Sequence, residues 1–264
     1  MCRNSGAGEN CAWLHAFWPC LRLAGLAATP DRHAAFYGAA FAALAERAPR
    51  VLVSGAADHG MLACVLAAAP QSRVTVIDSC DTPLQLNVWY AERSGAAIET
   101  QRCSILEYSP SQPFDAICTH SFFGQFSREQ RPRLLAAWQR LLRPGAKVVT
   151  AHPLRPFGAE EPNRFLPGQE RAFREHIGAQ AAALAALLRV QEDEVTRLAE
   201  AYLRARYGYP VRSGAELTAL FEAAGFDVEH IECKAPPPDA QPGSGGPGLR
   251  SPAVQYAHVI ARRR

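Results

Sequence analysis

Apolar positions along this chain follow two periods. Val51 to Val53 and Val74 to Ile77 are short, unbroken apolar runs, as expected of strands buried on both faces. Residues 97–101, Phe114 to Thr119, Lys147 to Thr150, Phe226 to Glu232 and Val254 to Ala261 read as five further strands. Between them the apolar positions recur at helical spacing, as in Leu134, Leu135, Trp138, Leu141 and Leu142, or Leu217, Leu220 and Phe221. A helix from about His59 to Ala69 stops before Pro70, with Asp58 placed to cap it. Thr82-Pro83 marks an N-cap and a first-turn proline, and that helix runs to about Arg93 before Gly95. Ser127-Arg128-Glu129-Gln130 and Ser213-Gly214-Ala215-Glu216 are capping-box patterns. Strands alternating with helices predict an α/β, Rossmann-like, doubly wound and mostly parallel sheet. The last two strands pair most simply as an antiparallel hairpin.

Two segments break the alternation. Residues 12–28 form an apolar, aromatic-rich helical stretch interrupted by Pro19. Thr29-Pro30 then opens a second helix to about Glu46, with His33, Phe36, Tyr37, Ala40, Phe41 and Leu44 on one stripe. The stripe suits packing against the sheet; alternatively it belongs to a lid from which His33 or Tyr37 reaches a ligand. Residues 154–212 hold a Pro-rich loop and a long helical stretch, read as an insertion because the sheet pattern resumes after it. The expected organisation is a helical lid over 1–48, a Rossmann-like core over 49–153, a helical cap over 154–212 and the rest of the core over 213–264. Residues 1–10 read as a frayed start, and the Pro/Gly-rich stretch after Lys234 as a flexible loop.

Composition narrows the class. The chain has 264 residues, 48% hydrophobic and 20% charged, enough for a substantial core. A formal net charge of +3, without a basic block beyond Arg262-Arg263-Arg264, argues against nucleic acid as a partner. The sequence has no apolar run long enough for a membrane span and no signal-peptide pattern, so a cytoplasmic protein is expected, as monomer or homodimer. The eight cysteines form no CxxC pair and read as reduced, mostly packing residues, with no metal site expected.

The chemistry centres on Arg50 to Asp78, a strand, tight loop, helix and strand. The small-residue loop Gly55-Ala56-Ala57 lets a ligand approach the backbone. Asp78, at the tip of the second strand, is placed to accept ribose hydroxyls.

With VLVSGAADHG, VTVID, FDAICTHS, LLRPGAKVVT and EAAGFDV in order, the chain resembles the class I S-adenosylmethionine-dependent methyltransferases over about residues 49–153 and 213–261. The resemblance implies a seven-stranded sheet with an antiparallel edge and S-adenosyl-L-methionine as cofactor. It also implies cofactor contacts from Gly55, Ala56, Ala57, Asp78 and Ser79, with Cys103, Ser104 and Ile105 around the adenine and His120 and Ser121 nearby. The chain departs from the family's glycine loop. Val53 replaces its acidic residue, and Ala57 and His59 stand at the later glycine positions, with Gly60 one place on.

Methyl transfer is an in-line displacement that needs alignment, exclusion of water and sometimes a base. His120 and His152, at the carboxyl ends of the fourth and fifth strands, are the candidate bases. Tyr37 and Tyr207 complete the catalytic candidates. Phe122 or Phe123 is placed to lean on a sulfonium. Arg204, Arg206, Tyr207 and Tyr209 form a solvated helix face or, alternatively, point to an anionic or carboxylate-bearing acceptor, whereas Arg174 and His176 read as surface or cap packing. The expected activity is methylation of a small molecule, in specialised biosynthesis. Alternatives are cyclisation of the cofactor with release of methylthioadenosine, a non-catalytic binding protein with an eroded loop, and, more remotely, a nicotinamide enzyme.

Overall fold

The computed structural model describes residues 11–27, 29–45, 48–155, 162–235 and 255–264. Among them, seven strands form one sheet in the order β3-β2-β1-β4-β5-β7-β6. The strands are β1 (Arg50–Ser54), β2 (Arg73–Asp78), β3 (Ile98–Arg102), β4 (Phe114–His120), β5 (Leu142–Leu154), β6 (Phe226–Lys234) and β7 (Gln255–Arg263). β1 pairs in parallel with both β2 and β4. β7 runs antiparallel to β5 and β6 and lies between them. The class of fold and the antiparallel C-terminal pair match the sequence pattern. Between β1 and β4 the strand order reverses, opening a crevice at the carboxyl ends of these strands where ligands of open α/β sheets bind.

Val51, Leu52 and Val53 are fully buried, as a central strand covered on both faces requires. One face carries α2 (Ala34–Ala42), α3 (Gly60–Ala68) and α4 (Asp81–Ser94), packed through Tyr37, Phe41, Leu62, Val65 and Ala91. The other carries α5 (Arg131–Leu141) and α9 (Gly214–Ala223), packed through Leu134, Trp138, Leu217 and Phe221.

α1 (Ala12–Leu23) and the insertion form a third body of packing. The insertion is three helices, α6 (Pro167–Gly178), α7 (Ala181–Leu188) and α8 (Glu192–Ala205). Phe17, Cys20 and Leu21 of α1 share one apolar cluster with Phe173, Ile177, Leu184, Val195 and Tyr202. Lid and cap, read separately in the sequence, therefore share a core. His176 bonds to the Ala24 carbonyl, and Arg174 pairs with Glu170 and Glu200, which is cap packing as expected.

Several boundaries differ from the sequence reading. α1 runs through Pro19 without a break. The segment after Thr29 starts as a 3₁₀ turn at Pro30–His33, and Thr29 makes no side-chain cap. α4 begins at Asp81, so Thr82 lies inside its first turn rather than capping it. The Ser127 box is half formed: Gln130 accepts the Ser127 N–H, yet the regular helix starts only at Arg131. β5 extends at both ends of the expected run, because Leu142 pairs with Phe114 of β4 and pairing with β7 continues to Leu154. Ser213 does cap α9, accepting from the Glu216 N–H. The frayed start, the end of the second helix at Glu46 and the stretch over 236–254 lie outside the described residues.

Arg131 joins the insertion to the core. Its fully buried guanidinium donates to Glu216 Oε1 at 2.9 Å, to the Tyr209 carbonyl at 2.8 Å and to the Pro210 carbonyl at 2.9 Å. Removing one partner of a buried pair strands the other charge and both carbonyls. Arg131→Met is expected to lower stability by about 3–5 kcal/mol in urea unfolding. The double variant with Glu216→Gln should recover part of that loss.

Candidate active site

A cavity of about 550 Å³ opens at the crevice between β1 and β4. Its wall includes Gly55, Ala56, Ala57, Asp78, Ser79, Cys103, Ser104, Ile105, His120, Ser121, His152 and Tyr207. Thus the catalytic and cofactor-binding candidates meet at a single cavity, with one exception among them. The exception is Tyr37, which is fully buried and does not line it; His33 does not line it either.

The floor is built by Asp78. Its Oδ2 accepts the Ala56 N–H at 3.0 Å and its Oδ1 the Cys80 N–H at 2.8 Å. Each oxygen keeps lone-pair capacity for a ribose hydroxyl. Burial raises the carboxyl to about 6, against the lowering effect of N–H bonds from Ala56, Cys80 and Ser79. Gly55 has φ +73°, and a Cβ there would overlap the Phe122 ring. Glycine is therefore required for backbone conformation and for space. These features fit an adenosyl ligand: a backbone cradle without side chains beside an acidic strand tip. Ser104 Oγ accepts the Leu106 N–H at 3.3 Å, so it is partly used in its own turn.

At the other end stand the histidines. Tyr37 Oη donates to the Thr119 carbonyl at 2.8 Å and accepts the Ala151 N–H at 3.0 Å. His120 Nδ1 lies 3.3 Å from the same oxygen. With the phenol proton committed to Thr119, Nδ1–H is the donor in that contact, and Nε2 carries the lone pair. Nε2 is buried without a hydrogen-bond partner among the described residues, as is His152 Nδ1. Unsatisfied buried groups gathered at one cavity are what a ligand site presents. Ser121 also sits at φ +54°, a backbone conformation non-glycine residues seldom adopt. Burial, followed by the neighbouring His33, His152, His258 and Arg32, holds His120 well below the usual histidine range. Burial first, then Arg131 and Arg155, lowers His152 to about 3. Both rings are neutral at physiological pH.

The structure also places residues at the wall that the sequence reading passed over. α1 contributes Cys11, Trp13, His15 and Trp18, and β7 contributes Tyr256. Arg155, immediately after β5, joins Arg206 at the wall, while Arg204 is exposed elsewhere. Burial, then Arg206, lowers Arg155 to about 10, so it stays cationic. An arginine directly following a buried strand was the available signal. Of the two phenylalanines, Phe122 lines the cavity against Gly55, whereas Phe123 is fully buried in the core.

Residues 54–145 match the family model described as a methyltransferase domain. No curated protein matches the chain. Among solved structures, the 1,6-didemethyltoxoflavin-N1-methyltransferase of Burkholderia thailandensis is 20% identical, with 86% of this chain and 76% of that chain covered and a TM-score of 0.54. It was crystallised with 1,6-didemethyltoxoflavin and S-adenosylhomocysteine. A candidate sarcosine dimethylglycine methyltransferase from Galdieria sulphuraria is 13% identical over 95% of this chain and 98% of that one, at TM-score 0.61. At these identities the likeness is one of fold. The match over residues 54–145 is to a methyltransferase domain, and the sheet has the fold of these solved methyltransferases.

Asp78 sets a pH dependence. An unfolded carboxyl titrates near 3.8 and the folded one near 6. The folded protein therefore binds this proton more tightly, and stability falls as pH rises through that window. Binding of ribose hydroxyls favours the carboxylate, so affinity rises over the same window. S-adenosylhomocysteine affinity measured by calorimetry should fall about tenfold per pH unit below about 6. That slope should vanish in Asp78→Asn.

Proposed function

We propose that the protein transfers the methyl group of S-adenosyl-L-methionine to a small, anionic acceptor enclosed beneath the α1–α6–α7–α8 layer. The observation that carries this reading is the single cavity running from Asp78 to the unsatisfied Nε2 of His120 and on to Arg155 and Arg206. When bound, the cofactor supplies the methyl group and a sulfonium leaving group.

The chain's residues supply the rest. Asp78, Gly55 and Ala56 hold the adenosyl end. Arg155 and Arg206 show no carboxylate partner among the described residues, and two cations on one wall favour an anionic ligand such as a carboxylate. His120 Nε2 takes the proton that the attacking acceptor atom loses. Tyr37 is a positioning residue, since it fixes the tautomer and orientation of His120 from behind. Burial holds His152 as well as His120 well below the usual histidine range, and a neutral His152 suits a hydrogen-bonding role. Tyr207, with Arg164 stacked over its ring at 5.6 Å, shapes the acceptor end. A cytoplasmic location, a place in specialised biosynthesis and a monomeric or homodimeric state belong to the same reading.

Incubation with cofactor alone tests the reaction class. The expected result is no methylthioadenosine until an anionic acceptor is added, and its release without acceptor would establish cyclisation instead. Absence of S-adenosylhomocysteine binding would favour a non-catalytic protein. His120→Ala should lower kcat by about 10²–10⁴-fold while changing cofactor affinity little. Equal loss of both would make His120 a cofactor-positioning residue.

A further inference from the structure

The sequence reading assigned no metal site, because no cysteine pair had ligand spacing. The fold brings three donors together from distant positions. Cys11 Sγ, a ring nitrogen of His15 and Cys80 Sγ all lie within 4.8 Å of one another. Cys11 and His15 are one helical turn apart at the start of α1, so they share a face. Cys80 follows the tip of β2, and its N–H bonds to Asp78. All three line the cofactor cavity.

We propose that Cys11, His15 and Cys80 form a binding site for a soft divalent cation of the zinc type. Two thiolates and one neutral imidazole are a donor set such cations prefer, and they leave a fourth position open to the cavity. Ligands of a tetrahedral zinc ion stand about 3.3–3.8 Å from one another, within the spread of these three atoms. The charges balance: loading the ion releases two thiol protons, and the two thiolates cancel its charge. A neutral imidazole offers one ring lone pair to a metal.

The sulfurs are 2.6 Å apart. That is longer than a disulfide bond of about 2.05 Å and shorter than a tetrahedral thiolate edge of about 3.8 Å, so small side-chain rotations reach either arrangement. His15 decides between them. A disulfide makes no use of a third donor, whereas a cation uses all three. The bound ion would clip the first turn of α1 to the loop that carries Asp78.

The test is anaerobic titration of the reduced full-length protein with Co²⁺, followed by displacement with Zn²⁺. One equivalent should produce thiolate-to-metal charge-transfer absorption, with release of two protons by pH-stat. Cys11→Ser and Cys80→Ser should abolish the band, and His15→Ala should bind at least about tenfold more weakly. Cys233→Ser, altering an exposed thiol, should leave it unchanged. Circular dichroism of each variant checks its fold. No band in the reduced wild type, or a band that survives both Cys11→Ser and Cys80→Ser, overturns the proposal. So does a Cys11–Cys80 disulfide in the isolated protein whose reduced form takes up no Co²⁺.

Discussion

The arrangement of the site depends on one buried carboxylate in the loop after β1. Asp58 Oδ1 accepts the Gly60 N–H at 2.7 Å and so starts α3. Its Oδ2 accepts from Trp18 Nε1 at 2.8 Å and Arg22 Nη1 at 2.5 Å, which ties α1 to the loop. Asn87 of α4 donates to the Asp58 carbonyl at 3.2 Å. Burial alone would raise this carboxyl, but donation from Trp18, Gly60 and Arg22 outweighs it and leaves the group below its ordinary value. An ionised, fully bonded carboxylate is a directional anchor. The loop, the helix after it and the helix over the cavity are thus held by one side chain.

From that anchor the two ends of the cavity acquire opposite electrostatics. At the adenosyl end, Asp78 is desolvated and bonded only by backbone N–H groups, which keeps its proton within reach of neutral pH. At the acceptor end the formal charges are the cationic Arg155 and Arg206, with neutral histidines between the two ends. A neutral imidazole with a committed Nδ1–H suits proton uptake from an acceptor, and a protonated one would repel a sulfonium. Burial, which lowers the basicity of His120, thus also keeps its Nε2 lone pair available, as the proposed methyl transfer beside a cationic cofactor requires.

The sheet and the cavity floor were legible because local rules act there. Buried strands read as apolar runs, and an acid at a strand tip marks a sugar-binding position whatever surrounds it. Cap chemistry was less legible: Thr82 and Thr29 have the right type but the wrong place, because the preceding strand and 3₁₀ turn set where each helix begins. What lay beyond the sequence was pairing between distant segments. Trp18 and Arg22 are one turn apart on α1, and their common target, Asp58, is 40 and 36 residues away. Asp58 was placed as the cap of α3, but the cap position is His59; Asp58 turns the chain into the helix with one oxygen and holds α1 with the other. Tyr37 was read as packing against the sheet or, alternatively, as reaching a ligand; its phenol bridges the ends of β4 and β5 behind His120. A stripe on a helix shows which residues face inward, not which layer they stop in.

The incomplete glycine loop follows from the same packing. Gly55 is kept because its backbone is left-handed and Phe122 fills the space a side chain would need. Of the later positions, Ala57 still lines the cavity, whereas residues 59 and 60 make packing contacts within the protein. His59 stacks on Tyr90 of α4 at 4.6 Å, away from the cavity wall. At Gly60 an added Cβ would come within 3.0 Å of Asp58 Oδ1 and 3.2 Å of Pro30 Cδ. The glycine one place late thus admits both the Asp58 carboxylate and the entry of the chain into α2. An eroded motif would leave its glycine positions without a purpose. Here Gly55, His59 and Gly60 each have a neighbour that accounts for them, and Ala57 keeps a small side chain at the cavity wall, so the loop's departures suit the docking of a helical cover with Gly55 intact.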